Sequence, residues 1–533
     1  MKIKIRNDIV QVYKDVHIWA GIVSGLMLFI AFYAGAITMF EKPLQRWATP
    51  PSALAPPPPL AEADRLVEAV LARHPQAARQ FVVMVETAPE QPARVMWREG
   101  ERRRGAELTE YGASFAADGG LQVEKIRKAQ VARFIDLLHV YVGLPFPDPV
   151  SRPIMGAVAL LYAVALVSGL IVLLPTLLKD VFALRIGKNL KRMWLDTHNA
   201  LGIFSLPFHL VMALTSVIFA FHDQIYAAQD KLVYPGGLNW GEEEHAPPAP
   251  GATPLPMPEL LRKVQLQLPE LEVYGFAFQQ DRDGHREGIL TGFDARRGTR
   301  ARTYVSTHLD PYTGEVDPHD LPGHMDGWDE AVNAFFSLHF GSYGGNPMRW
   351  LYLLMGLAGA ALFYTGNLLW VESRRRKQRG AETVAQKRSA KVLGCLTVGI
   401  SLGCVAGISA TVAAAKWLPA RVENLGFWQE AIYYAVFLAS VGWAFARGAA
   451  RGAVDLLWLC AWLTLLIPLT SLAGAWGIGG IWNHPGTFWV DLTALVSVPV
   501  FLLIAQRTRR RMHEGHGDSV WSAVATEAAA TAG

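Results

Sequence analysis

Four histidines stand where an apolar chain has least reason to keep them. His17 and His198 each open a long apolar run, and His139 and His339 each stand just before one. An imidazole is expensive in lipid, and where one is kept it marks a ligand or a pathway. Two imidazoles facing each other across a helical bundle can take both axial positions of a haem iron. His209 follows His198 by eleven residues. On a straight helix these two share one face, about 16 Å apart along the axis, which is close to the spacing that two stacked haems need. His222 falls on the opposite face and is the weaker candidate. The chain has no Cys-x-x-Cys-His, so covalent c-type attachment is excluded.

Other readings of these residues stand beside that one. A histidine at a membrane boundary can simply hydrogen-bond at the headgroup level, and paired histidines can relay protons. A relay would come with intramembrane carboxylates, of which the first four apolar runs hold almost none. Asp15 and Asp196 flank the first pair and can orient the imidazoles or cap a helix. The nearby glycines can admit a porphyrin or serve helix packing. A second group, His308, His319, His324, Met325 and Asp326, can hold a metal or meet a ferric substrate, or can be a solvated loop. There is no Walker A motif, no GxGxxG after a strand, no HExxH and no GxSxG in a plausible setting. An ATP-driven pump, a flavin or nicotinamide domain and a hydrolase are therefore not indicated.

The elements that must carry the histidines are membrane helices. The chain has 533 residues, 17 of them Trp, and only 18% are charged, against roughly a quarter in soluble domains. Eight runs are long enough to cross a bilayer, which takes about 20 residues: Val16–Phe40, Ile154–Leu174, His198–Phe221, Met348–Val371, Val392–Ala414, Phe427–Phe445, Ala453–Ala473 and Phe488–Ala505. The first is too long for a cleavable signal and reads as a retained anchor. Basic residues gather at the N-terminus, in the loops after the second and fourth runs and at the C-terminus, while 474–487 has no Lys or Arg. This places both termini in the cytoplasm of a multi-pass membrane protein. The net charge of +4 reflects that asymmetry and carries no nucleic-acid footprint. Cys395, Cys404 and Cys460 all lie in apolar runs, so the outer segments are expected to hold no disulfide.

The expected order is an N-terminus with the first span (1–41), an outer segment (42–153), a span (154–175), a cytoplasmic loop (176–197), a span (198–221), a second outer segment (222–347), a span (348–371), a basic loop (372–391), four further spans (392–505) and a tail (506–533). Each outer segment starts with a Pro-rich linker, Pro50–Pro59 or Pro247–Pro258. A short helix follows, at Ala61–Arg73 and Pro258–Leu268. Strands are expected at Phe81–Val85, Arg94–Arg98, Val273–Gln279 and Thr303–Leu309, with turns at Ala117–Gly120 and Asp310–Val316. The segments read as two small α+β domains. Asp15-Val16-His17 aligns with Asp196-Thr197-His198, Leu138-His139 with Leu338-His339, and Met155-Gly156 with Met355-Gly356. The first 370 residues thus read as helix, outer domain, helix, twice over, in parallel repeats.

These residues carry a family resemblance. Lys14-Asp-Val-His-Ile-Trp-Ala-Gly21, Leu195-Asp-Thr-His-Asn-Ala-Leu-Gly-Ile203 and Leu206-Pro-Phe-His209 resemble helices of the PepSY-associated transmembrane family. Asp310-Pro-Tyr-Thr-Gly-Glu-Val316 is similar to the end of a PepSY domain, whereas Ala117–Gly120 departs from that pattern. The resemblance covers about residues 1–375. It implies outer PepSY domains on a four-helix core and haem b held through His17, His198, His139, His339 and His209; two haems per chain are expected. Members of the family include inner-membrane haem proteins that reduce ferric siderophores in the periplasm. Some relatives carry a fused flavoprotein. This chain has none, so a cytoplasmic reductase or a membrane quinol would be the electron donor.

The expectation is a mainly α-helical integral membrane protein that acts as a haem-dependent ferric-chelate reductase. His17 is expected to pair with His198, and His139 with His339, with His209 able to replace one of the latter two. The alternatives are a membrane-anchored PepSY module that binds or inhibits a partner without redox activity, and a transporter for iron or siderophore.

Overall fold

The computed structural model describes residues 6–88, 91–100, 109–177, 190–232, 251–280, 285–294, 305–318, 321, 324–325, 327–374, 387–484, 486–514 and 520–522. The chain forms two compact units. One comprises Met1–Ala48, Ala129–Ile225 and Leu351–Gly533, and the other Thr49–Lys128 and Tyr226–Trp350. In chain order the helices are α1 (Asn7–Thr38), α2 (Glu41–Ala48), α3 (Ala63–Arg73), α4 (Val131–Val140), α5 (Asp148–Leu173), α6 (Leu190–Phe204), α7 (Leu206–Ala220), α8 (His222–Leu232), α9 (Met257–Gln267), α10 (Gly327–Phe340), α11 (Gly345–Ser373), α12 (Arg388–Ala414), α13 (Leu425–Ala475) and α14 (Phe488–Glu514).

The first unit is helical. Among the described residues six helices, α1, α5, α11, α12, α13 and α14, are long and apolar enough to cross a membrane. A seventh span is added if α6 and α7 count as one, but that pair is bent by 71°. The straight helix expected over His198–Phe221 is therefore not formed, and His198 and His209 do not share one continuous helix face. The cause lies at Leu206-Pro207. Proline has no N–H to give and its ring crowds the carbonyl four residues earlier, so the chain turns at Ser205 (φ −98°, ψ 8°) and starts again. Apolar side chains stay exposed on the spans, for example Leu492, Leu495, Val496, Val500, Leu503 and Ile504 on α14. Such a band is an aggregation liability in water and normal against lipid.

At 51 residues α13 is about twice the length of one span. It is two helices joined at Gly448, whose φ of 77° and ψ of 159° suit glycine alone. A Cβ on Gly452 would lie 3.1 Å from Cα of Ala444. Residues eight apart on one straight helix are about 12 Å apart, so the chain has doubled back, and the two arms correspond to the runs Phe427–Phe445 and Ala453–Ala473. Nε1 of Trp443 and Nε of Arg447 both donate to Asp455 across the corner, each at 3.0 Å. Gly399, Gly403 and Gly407 on α12 let α13 come close, since a Cβ on them would meet the Val441 backbone at 2.8 Å, the Phe437 carbonyl at 3.1 Å and the Tyr433 ring at 2.7 Å.

A buried polar network ties α2 to the C-terminal helices of this unit. Lys416 is 1% exposed. Its ammonium lies 4.0 Å from the centre of the Trp47 ring and donates to Ser471 at 3.0 Å. The Ser471 hydroxyl donates to Asp491 at 2.9 Å, and the Trp47 indole N–H reaches both Ser471 (3.0 Å) and Asp491 (3.2 Å).

Among the described residues of the second unit, seven strands form one antiparallel sheet in the order β4-β3-β2-β1-β5-β6-β7, with helices against it. Its strands are β1 (Gln80–Met84), β2 (Val95–Glu99), β3 (Thr109–Phe115), β4 (Leu121–Lys125), β5 (Glu272–Gln280), β6 (Arg286–Phe293) and β7 (Val305–Leu309). The two segments expected to lie outside the membrane, 42–153 and 222–347, thus do not form separate domains. β1 of the first pairs with β5 of the second, with Phe81 opposite Phe278 and Val83 opposite Phe276. Leu66 and Val70 of α3 and Leu260 and Val264 of α9 join one core with those strands. Asp64 of α3 accepts the backbone N–H of Met257 at the start of α9, at 3.0 Å. At the seam the Phe81 and Phe278 rings are 5.2 Å apart, with the Arg286 guanidinium 5.2 Å and 5.7 Å from their centres. Burial pulls that guanidinium below its ordinary pKa. Neither half could cover this apolar edge alone, which is why the pairing forms.

Phe278→Ala should therefore loosen the seam at a cost of about 3–5 kcal/mol. Hydrogen exchange on the full chain should show faster exchange in β1 and β5 together. Loss of protection in β5 alone would mean that the halves are independent.

Candidate functional site

Three of the histidines are held by the same local device in the helical unit. Nδ1 of His17 on α1 bonds to the Ala165 carbonyl of α5 at 2.8 Å. Nδ1 of His139 on α4 bonds to the Ala31 carbonyl of α1 at 2.8 Å. Nδ1 of His198 on α6 bonds to the Leu362 carbonyl of α11 at 3.1 Å, with the Thr365 hydroxyl 3.5 Å away. In each case the residue four positions after the accepting carbonyl is a glycine under the ring. A Cβ on Gly169 would lie 2.8 Å from Cε1 and Nδ1 of His17, one on Gly35 2.7 Å from Nδ1 of His139, and one on Gly366 3.2 Å from Cε1 of His198. A helical side chain leans toward the helix N-terminus and so covers the carbonyl one turn earlier. Glycine leaves that carbonyl open to a second donor.

This geometry sets the tautomer. A carbonyl only accepts, so in each neutral ring Nδ1 carries the proton and Nε2 keeps a lone pair. A histidine that ligates a metal is commonly anchored in this way. His17 and His198 also come together, with ring centres 6.1 Å apart and planes at 67°.

His209 on α7 is 0% exposed. Its Nδ1 is 2.6 Å from the Tyr162 hydroxyl of α5, and that hydroxyl is 3.1 Å from the His209 carbonyl. Phe32, Phe208 and Phe363 surround the ring at 5.5 Å, 5.8 Å and 6.4 Å between centres. Among the described residues, its Nε2 has no hydrogen-bond partner. A Cβ on Gly359 would lie 3.1 Å from His209 Cε1. The glycines beneath His209 and His198 are seven residues apart on α11, which is about 10 Å of helix, not the 16 Å of a straight α6–α7.

The remaining candidates are placed as follows. His339 lies on α10 in the sheet unit, half-buried, its ring 5.4 Å from Phe340. His308 is half-buried on β7, His324 is exposed and Met325 is buried; His319 and Asp326 lie outside the described residues. Among the described residues no group of three or more His, Cys, Asp or Glu is arranged to hold a metal ion. Nδ1 of His222 bonds to the Phe219 carbonyl of the preceding turn. Asp15 accepts from Gln11 at 3.2 Å, so the carbonyl of Ala165, and not Asp15, orients His17. The glycines that follow the histidines are also not the ones that matter. A Cβ on Gly21 would meet nothing within 4 Å, and one on Gly202 only Leu362 at 3.7 Å. Gly169, Gly35, Gly366 and Tyr162 escape a sequence reading. The pairs Ser168-Gly169 and Thr365-Gly366 are the one visible signal.

Gly169→Ala should push on the His17 ring, break its bond to Ala165 and lower stability by about 1–3 kcal/mol. Gly21→Ala should have no such penalty. Thermal unfolding in detergent compares the two, and equal midpoints would show that the ring is not held against Gly169.

The family model described as the PepSY-associated TM region matches residues 15–373, from α1 to the end of α11, and α12–α14 lie outside it. No curated protein matches the chain. With helices, histidines and glycines of the matched region assembled as described, the chain belongs to the PepSY-associated transmembrane family.

Proposed function

We propose that this chain binds haem b, two per chain, and carries electrons across a bacterial inner membrane to a ferric siderophore or similar chelate. The observation that carries the reading is the His17–His198 pair. Two imidazoles sharing one metal through Nε2, with metal–nitrogen bonds of about 2 Å, have ring centres roughly 6 Å apart, and these are at 6.1 Å. Both rings have Nδ1 tied to a carbonyl, which leaves Nε2 to ligate. The residues therefore fit the group. When bound, haem supplies a one-electron carrier.

The side chains of this site have definable work. The carbonyls of Ala165 and Leu362 fix the ring planes and raise the basicity of Nε2. Phe32, Phe208 and Phe363 keep water from His209. For a second haem the candidate ligands within the helical unit are His139 and His209. An acceptor reduced from Fe(III) to Fe(II) by one electron is held less tightly by oxygen-rich chelators. The donor is a cytoplasmic reductase or a membrane quinol, and both termini face the cytoplasm.

The parallel repeat belongs to this proposal, with one change of register. Gly169 and Gly366 lie under equivalent histidines. Matching Ser168-Gly169 to Thr365-Gly366 also brings Arg152 onto Arg349, three residues away from the register that joins Met155-Gly156 to Met355-Gly356.

Reduced-minus-oxidised spectra of the detergent-purified chain, with a pyridine haemochrome count, test the reading. Sharp bis-His b-type bands at about two haems per chain are expected, falling by one in His17→Ala and in His198→Ala. A folded, haem-free preparation from haem-replete cells would overturn it in favour of an anchored binding module.

A further inference from the structure

We infer that Tyr162 is a positioning residue: it holds His209 as the Nδ1–H tautomer and so presents Nε2 as an iron ligand. The inference rests on the haem reading and deepens it. Tyr162 is 3% exposed and has one hydroxyl proton for two acceptors, the Nδ1 and the carbonyl of His209. If the hydroxyl donates to Nδ1, the carbonyl contact carries no hydrogen, and Nε2–H becomes a buried donor facing aromatic rings. If the hydroxyl donates to the carbonyl at 3.1 Å, Nδ1–H donates to the tyrosine oxygen at 2.6 Å. The second arrangement makes two hydrogen bonds where the first makes one, and leaves no N–H without an acceptor. Orphaned buried N–H groups are rarer than under-used acceptors, which favours it again.

The product is an unprotonated Nε2 with no partner among the described residues, in a ring locked by Phe32, Phe208, Phe363 and the Gly359 backbone. His17, His139 and His198 get the same tautomer from a backbone carbonyl of a neighbouring helix. His209 gets it from a side chain, so its ligand strength depends on one removable hydroxyl. Accepting from Nδ1–H gives the imidazole more anionic character, which stabilises ferric over ferrous iron and lowers the reduction potential.

The test is a redox titration with low-temperature EPR and a haem count on the full detergent-purified chain, comparing wild type, His209→Ala and Tyr162→Phe. His209→Ala should lose one haem. Tyr162→Phe should keep the wild-type count, raise the potential of one haem and shift that haem's low-spin ferric signal, leaving the other unchanged. 3-Fluorotyrosine at 162 keeps the hydroxyl but makes its oxygen a weaker acceptor from Nδ1–H, so it should raise the same haem's potential by less than Tyr162→Phe does; an unshifted potential there would overturn the inference even should the phenylalanine variant fail to fold. Wild-type potentials and spectra in Tyr162→Phe, or two haems retained in His209→Ala, would overturn the inference alone. A wild-type chain without haem would overturn the functional proposal along with it.

Discussion

An imidazole N–H buried among apolar helices needs an acceptor, and in such a bundle nearly every acceptor already serves its own helix. Leaving that donor unmatched costs about 1–3 kcal/mol. A helical carbonyl has a second lone pair, but the side chain one turn later normally covers it. Glycine at that position uncovers it, and the helical unit repeats this at Ala165–Gly169, Ala31–Gly35 and Leu362–Gly366. The arrangement fixes ring plane, tautomer and helix spacing together. It brings α1 against α5, α4 against α1 and α6 against α11, and those contacts organise the family-matched part of the unit.

The breaks in the helices matter as much as the helices. Had α6 and α7 been one rod, His209 would lie about 16 Å from His198, away from the box formed by Phe32, Tyr162 and Phe363. The turn at Ser205 and Pro207 brings it to Gly359 on the same helix that receives His198. At Gly448 another break lets one continuous apolar stretch return as a hairpin against α12. The network of Lys416, Ser471, Asp491 and Trp47 then anchors those added helices to α2.

In the sheet unit the same logic acts on the backbone. Two short sheets, each with an apolar edge strand, remove both edges by pairing β1 with β5. The helices α3 and α9 then lie over one core instead of two.

The amino-acid sequence by itself determined much of this. The apolar runs, the histidine positions and most of the edge and seam strands follow from local composition and period, because those signals sit in neighbouring residues. β1, β2, β5 and β7 fall within a residue or two of expectation, whereas β3, β4 and β6 (Thr-Glu-Tyr-Gly-Ala-Ser-Phe, Leu-Gln-Val-Glu-Lys and Arg-Glu-Gly-Ile-Leu-Thr-Gly-Phe) lack clean alternation and went unseen. The tertiary structure decided what depends on residues far apart in the chain. Which carbonyl receives each imidazole, which glycine lies beneath it, that Tyr162 meets His209 across 47 positions, and that strands from two distant segments share one sheet are facts of packing. A hydrogen bond between helices leaves no period in either helix, and a proline bend redirects every face beyond it, so neither can be read along the chain.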